Sequence, residues 1–347
     1  MAALVAAGAC GGAQRLDRRF DWLEPSIPAV TITVDVGPPG THLREPYHYT
    51  VRREPSGVTV DLHAIEIVGQ RAYAAGDGGL VLCRTAWGNW EREPTPTTRR
   101  LRALVAVESA GLYAVGDAGT VLFRSADGRW TVEPVPTTAD LYDIVEVDRV
   151  LYAVGDRGTL LARSDGAWRT IATNTEADLR RFDGHIAVGR GGAIVDCATS
   201  DRDQAELAHQ LACVPSPSPT TADLLAISDD ATTWRAFGAD GASVRAIERH
   251  PFGGARDAPV RRGATVTATA GASSATALVF PSPVTVLVGM RGLVVFSAER
   301  LTYAVLPGEP DLFGAAQAMF DVFAVGAGGT IVHFRAIDVR EDEVILI

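Results

Sequence analysis

Three observations predict an all-β fold of repeated, four-stranded antiparallel units for this 347-residue chain. First, a hairpin phrase recurs. Tyr113-Ala-Val-Gly-Asp-Ala-Gly-Thr-Val-Leu122 has close copies at 73–82 and 152–161, with apolar residues running into one glycine and away from a second. Second, seven such Gly-x-x-Gly turns occur at 76–79, 116–119, 155–158, 189–192, 238–241, 289–292 and 326–329, spaced 34 to 51 residues apart. Four short strands need about 40 residues, so the spacing is that of β-propeller blades, and seven turns predict a seven-bladed propeller over 58–347. Third, 35 glycines and 19 prolines with 47% hydrophobic residues suit a turn-rich β protein and argue against helical solenoids.

The elements follow in chain order. Met1–Cys10 places small residues before a cysteine and glycines after it, as at the end of a lipoprotein signal peptide. On that reading Cys10 is lipidated and the protein is extracytoplasmic, in the periplasm, outer membrane or cell surface, touching membrane only through the anchor. An apolar N-terminus without that role is the alternative. No run of 18 apolar residues offers a transmembrane helix. Residues 11–57 fit no repeat and read as a tether with one or two strands, the clearest being the β-like run 30–36. Val58–Leu62 either begins the array or lends a strand to its far end.

The first three repeats are complete. Each starts with an apolar run such as 101–107 or 141–147, passes the hairpin, and turns into a fourth strand marked by Trp90, Trp130 or Trp168. Glycine is expected at the hairpins because a two-residue turn needs positive φ. Repeats four to six are worn. The fourth carries an insertion, 196–221, within which 203–212 reads as a short amphipathic helix, and the fifth has a tail, 249–263, rich in Arg, Gly and Pro. Such insertions map to the faces where partners bind, or are drift in surface loops. Residues 342–347 either complete the last blade or pair with the N-terminal strands to close the ring.

The phrase at 113–122, with Ser125-Ala-Asp-Gly-Arg-Trp130 and Ser164-Asp-Gly-Ala-Trp168, resembles the YVTN/BNR-like (WD40-like) β-propeller repeat superfamily. Within it the chain is similar to bacterial propellers of the photosystem II assembly and stability factor type. The Ser-x-Asp-Gly-x-Trp turn resembles a shortened Asp-box, whose aspartate and tryptophan, the resemblance implies, stabilise an outer-edge turn without a part in catalysis. The likeness covers about 62–335 and implies a fold more than a function.

Chemistry is sparse. Net charge is −10, and all 32 basic side chains are arginine, which argues against general nucleic-acid binding. Cys197 and Cys213, 16 positions apart, can close a loop in an oxidising compartment, worth roughly 3 kcal/mol. Cys83 stands where later repeats have Phe123 and Ala162, and is read as a small buried hydrophobe. No Cys/His set has zinc spacing, and no Gly-x-Ser-x-Gly, P-loop, His-Glu-x-x-His or Arg-Ile-Pro motif occurs, so no catalytic residue, metal or cofactor is assigned. Two constellations remain. Asp77, Asp117 and Asp156 lie in the first three turns, as a polar arc for a cation or ligand or simply as turn formers. Arg190 and Arg291 lie in later turns, with Arg99, Arg100, Arg102, Arg180, Arg181, Arg261 and Arg262 at blade junctions. They form either a positive patch for carboxylates, phosphates or an acidic partner, or a solvated rim. The favoured function is a non-catalytic scaffold that binds a protein. The alternatives are a hydrolase or lyase with a central-face active site and a carbohydrate-binding propeller.

Overall fold

The computed structural model describes residues 30–34, 47–85, 88–107, 111–199, 211–229, 234–239, 242–246, 274–279, 282–297, 301–306, 308–318, 321–340 and 343–346. Among these the strands gather into seven antiparallel sheets, five of four strands, one of three and one of six. The second sheet shows the plan: Leu101–Val107, Gly111–Gly116, Thr120–Arg124 and Trp130–Val132 pair in sequence order from inside to outside. The first strands of the sheets are Leu62–Val68, Leu101–Val107, Leu141–Val147, Leu179–Phe182, Leu224–Asp229, Ser274–Val279 and Leu312–Ala318. Each lies against the next, and the last lies against the first, so the sheets close a ring. The fold is a β-propeller. Apolar clusters fill the space between neighbouring sheets; one joins Leu101, Leu104 and Trp130 to Tyr73, Ala75 and Cys83.

The turn glycines have a different cause from the one expected. The link is three residues, Asp117–Gly119 in the second sheet, and Gly116 before it is extended at φ −173. Any residue adopts that backbone. A Cβ on Gly116 would land on the carbonyl oxygen of Arg100, so close approach is what excludes a side chain. Positive φ falls on Ala118 (52°) and Gly119 (67°) instead, and a Cβ on Gly119 would also meet a carbonyl, that of Thr137.

The N-terminal segment closes the ring. Tyr47–Glu54 pairs antiparallel with Ile331–Arg340 as the outer strand of the last sheet, with Glu54 opposite Ile331, and Val30–Val34 pairs outside it. Residues 58–61 form no strand, although Val58 packs into the cluster between last and first sheets. Glu343–Leu346 folds back on Ile337–Arg340 and joins the last sheet there; among the described residues it pairs with that strand and not with Val30–Val34 or Tyr47–Glu54.

Three sheet junctions carry the same polar clamp. Arg124 Nε and Nη2 donate to Glu93 at 2.7 Å each, and Trp130 Nε1 donates to the same carboxylate at 2.9 Å. Arg163 and Trp168 grip Glu133 likewise (2.9, 3.0 and 2.8 Å), and Arg84 and Trp90 grip Glu54 (2.8, 2.6 and 2.8 Å). Each guanidinium also lies over an aromatic ring of the preceding sheet, Phe323, Tyr73 or Tyr113. His333 adds a second grip on Glu54 at 3.3 Å while bonding Asp321 at 2.7 Å. The tryptophans therefore tie neighbouring sheets together, while the turn before Trp130 is local: Asp127 receives the Ser125 hydroxyl and the Arg129 N–H.

Cys197 and Cys213 are disulfide-bonded, as the spacing allows. Cys83 is fully buried and also disulfide-bonded, which corrects its reading as a plain hydrophobe. Leu211–Ser216 is a strand, so the helix expected over 203–212 does not reach its last two residues, and 203–210 lie outside the described residues. The same holds for Cys10, Arg261 and Arg262. No helix among the described residues is long and apolar enough to cross a membrane.

Candidate functional site

The site arises from a triplet at the start of the inner strands. Leu62, Leu101, Leu141, Leu179, Leu224 and Leu312 are completely buried and anchor each strand between sheets. The residue before five of them is aspartate. Asp61, Asp140, Asp178, Asp223 and Asp311 accept the N–H of Gly328, Ala118, Arg157, Gly191 and Arg291 respectively, at 2.8 to 3.1 Å. Each donor is the middle residue of the turn on the preceding sheet, so these aspartates lock neighbouring sheets on one face.

The residue after each leucine is extruded by a slip in strand register, a β-bulge. A bulge leaves one residue unpaired and re-aims its side chain. The extruded residues are His63, Arg102, Tyr142, Arg180, Leu225 and Phe313, and all six line one cavity of about 270 Å3 together with Arg181 and Asp223. The cavity has two halves. Leu225 and Phe313 make one side apolar, with His63 stacked on Phe313 at 5.4 Å between ring centroids. Opposite, Tyr142 lies between two guanidinium groups, Arg180 at 3.7 Å and Arg102 at 4.8 Å from its centroid. Arg181 donates to the carbonyls of Arg180 (2.8 Å) and Tyr142 (3.4 Å), with Asp143 as its counter-charge.

The aspartate arc and the arginines meet on this face and partly neutralise each other. Asp77 binds His63 Nε2 at 2.9 Å and Arg100 Nε at 2.5 Å, Asp117 binds Arg102 Nε at 2.6 Å, and Asp156 hydrogen-bonds Tyr142. Burial pushes the Asp77 carboxyl up, but the bonds from His63 and Arg100 outweigh it and hold it below the usual range. Burial raises Tyr142, and the Asp156 bond adds to that; burial also raises Asp143, against Arg181 and the Phe182 N–H. No group of three His, Cys, Asp or Glu side chains among the described residues is placed to hold a metal ion.

Of the arginines singled out in the sequence, Arg102, Arg180 and Arg181 reach the cavity wall. Four others do not line it: Arg100 is held by Asp77, as above, and the remaining three lie elsewhere. The Arg190 side chain is 69% exposed, 3.7 Å from Asp178. Arg99 donates to the Ala118 carbonyl at 2.9 Å, and Arg291 is a left-handed turn residue (φ 52) whose N–H is held by Asp311. Sequence reasoning missed His63, Tyr142, Asp223, Leu225 and Phe313. The signal available was the triplet Asp-Leu-x, whose third residue is the one aimed at the axis.

No family model and no curated protein sequence matches the chain. Solved structures do. YCF48 from Cyanidioschyzon merolae aligns over 82% of this chain and 98% of its own, with 14% identity and a TM-score of 0.61. YCF48 bound to D1 peptide aligns over 89% and 99%, with 13% identity and a TM-score of 0.61. Virginiamycin B lyase from Staphylococcus aureus aligns over 83% and 99%, with 9% identity and a TM-score of 0.60. At such identities the likeness is one of fold. One of these folds holds a peptide and another belongs to a lyase, so the choice of activity falls to the cavity.

Proposed function

We propose that this chain is a non-catalytic, seven-bladed scaffold that engages a protein partner on the face where the bulge residues converge. The observation that carries the reading is that convergence, with arginines on one side of one cavity and the apolar side chains of Leu225 and Phe313 on the other. Such a site suits a peptide segment that offers a carboxylate beside an apolar side chain. Arg102 and Arg180 would receive the carboxylate, while Leu225 and Phe313 would pack the apolar group. Binding of a peptide by a structurally similar propeller supports this reading.

Export to an oxidising compartment is part of the proposal and is supported by the disulfides. Lipid anchorage at Cys10 is a separate proposal, tested by the mass of the native N-terminus. The binding reading is tested by affinity capture from native envelope with wild type and an Arg102→Gln/Arg180→Gln variant. Loss of the same captured protein, with an unchanged unfolding midpoint, supports the cavity. Equal capture by both excludes it, and conversion of the captured partner to product would make the chain an enzyme.

A further inference from the structure

Among the junctions without the polar clamp, that between third and fourth sheets replaces it in a particular way. Glu93 and Glu133 stand opposite Val81 and Val121, each two residues after the second turn glycine, and Ile171 stands in the same place opposite Leu160. Arg124 and Arg163 come five residues after Gly119 and Gly158, and Cys197 comes five after Gly192. Trp130 and Trp168 lie directly across from those arginines, and Cys213 lies directly across from Cys197. At the junction of third and fourth sheets, therefore, all three clamp positions change together: glutamate to isoleucine, arginine and tryptophan to a disulfide pair.

We propose that the Cys197–Cys213 disulfide replaces the polar clamp and makes the fourth sheet a redox-responsive part of the ring. With Ile171 in the carboxylate position, an arginine here would be buried without a counter-charge and a tryptophan N–H without an acceptor. A disulfide needs neither, and it ties the outer strand Leu211–Ser216 to Ile194–Thr199 covalently. Both cysteines are almost fully buried, in one apolar cluster with Leu179 and Phe182. Those two residues bracket Arg180 and Arg181, so the clamp and the cavity wall share a core. Reduction by a dithiol breaks the S–S bond, with two electrons and two protons passing to the sulfurs and the dithiol closing to its own disulfide. The burial of both sulfurs means that the outer strand must fray for the reductant to enter. Once reduced, that strand is held by backbone pairing, apolar contact and the hydrogen bond that Asn174 Nδ2 donates to the Cys213 carbonyl at 2.9 Å.

The test is independent of any ligand. A Cys197→Ser/Cys213→Ser variant, kept oxidised so that the Cys83 disulfide stays intact, should unfold roughly 3–7 °C lower than wild type. Amide exchange should quicken at least tenfold in 211–216 and measurably in 179–182, while 120–132 stays unchanged. Dithiothreitol should shift wild type further than this variant, the difference being the share of the Cys197–Cys213 bond. Installing the polar clamp with Ile171→Glu, Cys197→Arg and Cys213→Trp should restore at least half of the lost stability and remove that difference. A double-serine variant with wild-type midpoint and exchange would overturn the proposal, as would faster exchange spread evenly around the ring. If the triple variant fails to fold, the double variant and the dithiothreitol comparison still decide.

Discussion

Removing Glu93 tests the physical basis of the ring most directly. Its carboxylate accepts two hydrogen bonds from Arg124 and one from Trp130, all between 2.7 and 2.9 Å, and the Arg124 and Glu93 side chains are only 9% and 8% exposed. In Glu93→Ala the guanidinium stays buried over Tyr73 without the carboxylate that takes two of its N–H groups, and the indole N–H loses its acceptor. Breaking a buried pair from one side costs about 3–5 kcal/mol, because the remaining charge cannot be solvated. For a chain of this size that is an unfolding midpoint about 4–7 °C lower. The assay is calorimetric or denaturant unfolding of wild type, Glu93→Ala and the apolar double variant Glu93→Leu/Arg124→Met. The double variant should recover most of the loss, since paired apolar groups leave no buried charge. A single variant within about 1 kcal/mol of wild type would show that the clamp is solvated in solution and refute the reasoning.

Two further predictions concern the sheets themselves. Burial raises the Glu66 carboxyl from 4.5 to about 7, against one hydrogen bond from the Ile67 N–H. Its contribution is therefore present in full below the unfolded value and lost as pH rises from 4.5 to about 7, up to about 3 kcal/mol in total. Glu66→Gln, which keeps the acceptor, should flatten this stretch of the stability–pH curve and be the more stable protein at pH 8; parallel curves would count against it. Gly116→Ala should cost more than Gly78→Ala, although Gly116 is extended and Gly78 has φ 69. The first drives a methyl into the Arg100 carbonyl, for about 3 kcal/mol or more, while the second meets open space and costs roughly 1–2 kcal/mol of backbone strain. Unfolding midpoints in the reverse order would mean that φ, and not close approach, governs the repeat.

What the sequence disclosed was whatever is local. The Gly-x-x-Gly turns, the strands on either side and the Cys197–Cys213 pairing are all properties of short stretches, and each is present. The closing strand was not legible, because Tyr47–Glu54 pairs with residues about 280 positions away and nothing near it announces that partner. The clamp carboxylates were hidden for the same reason: Glu93 looks like an ordinary exposed residue on an outer strand until the next sheet brings Arg124 and Trp130 over it. The cavity residues were hidden differently. His63, Tyr142 and Phe313 sit within apolar runs, where alternation alone says which face they take, and a one-residue slip in register overrides that parity.

That slip explains why one position can vary while its neighbours hold. The leucine of each Asp-Leu-x triplet is fixed by the packing of two sheets, and the aspartate by the turn N–H on the sheet before. The third residue is demanded by neither, since a bulge constrains the backbone and leaves the side chain facing the axis. Histidine, arginine, tyrosine, leucine and phenylalanine are all found there, each from a different sheet, at one cavity. The exception at the second sheet is instructive. Arg100 replaces the aspartate, and it grips Asp77 on the first sheet by its side chain where the others hold a backbone N–H. The sign of the contact is reversed, yet the two sheets are still joined. The ring can therefore exchange residues at its lock positions only by exchanging the partner too, whereas a change at a bulge position alters the cavity and, apart from the contact of Arg102 with Asp140 on the next sheet, leaves the locks in place. It is at those bulge positions, more than at the turn arginines, that substitution should change what this protein binds.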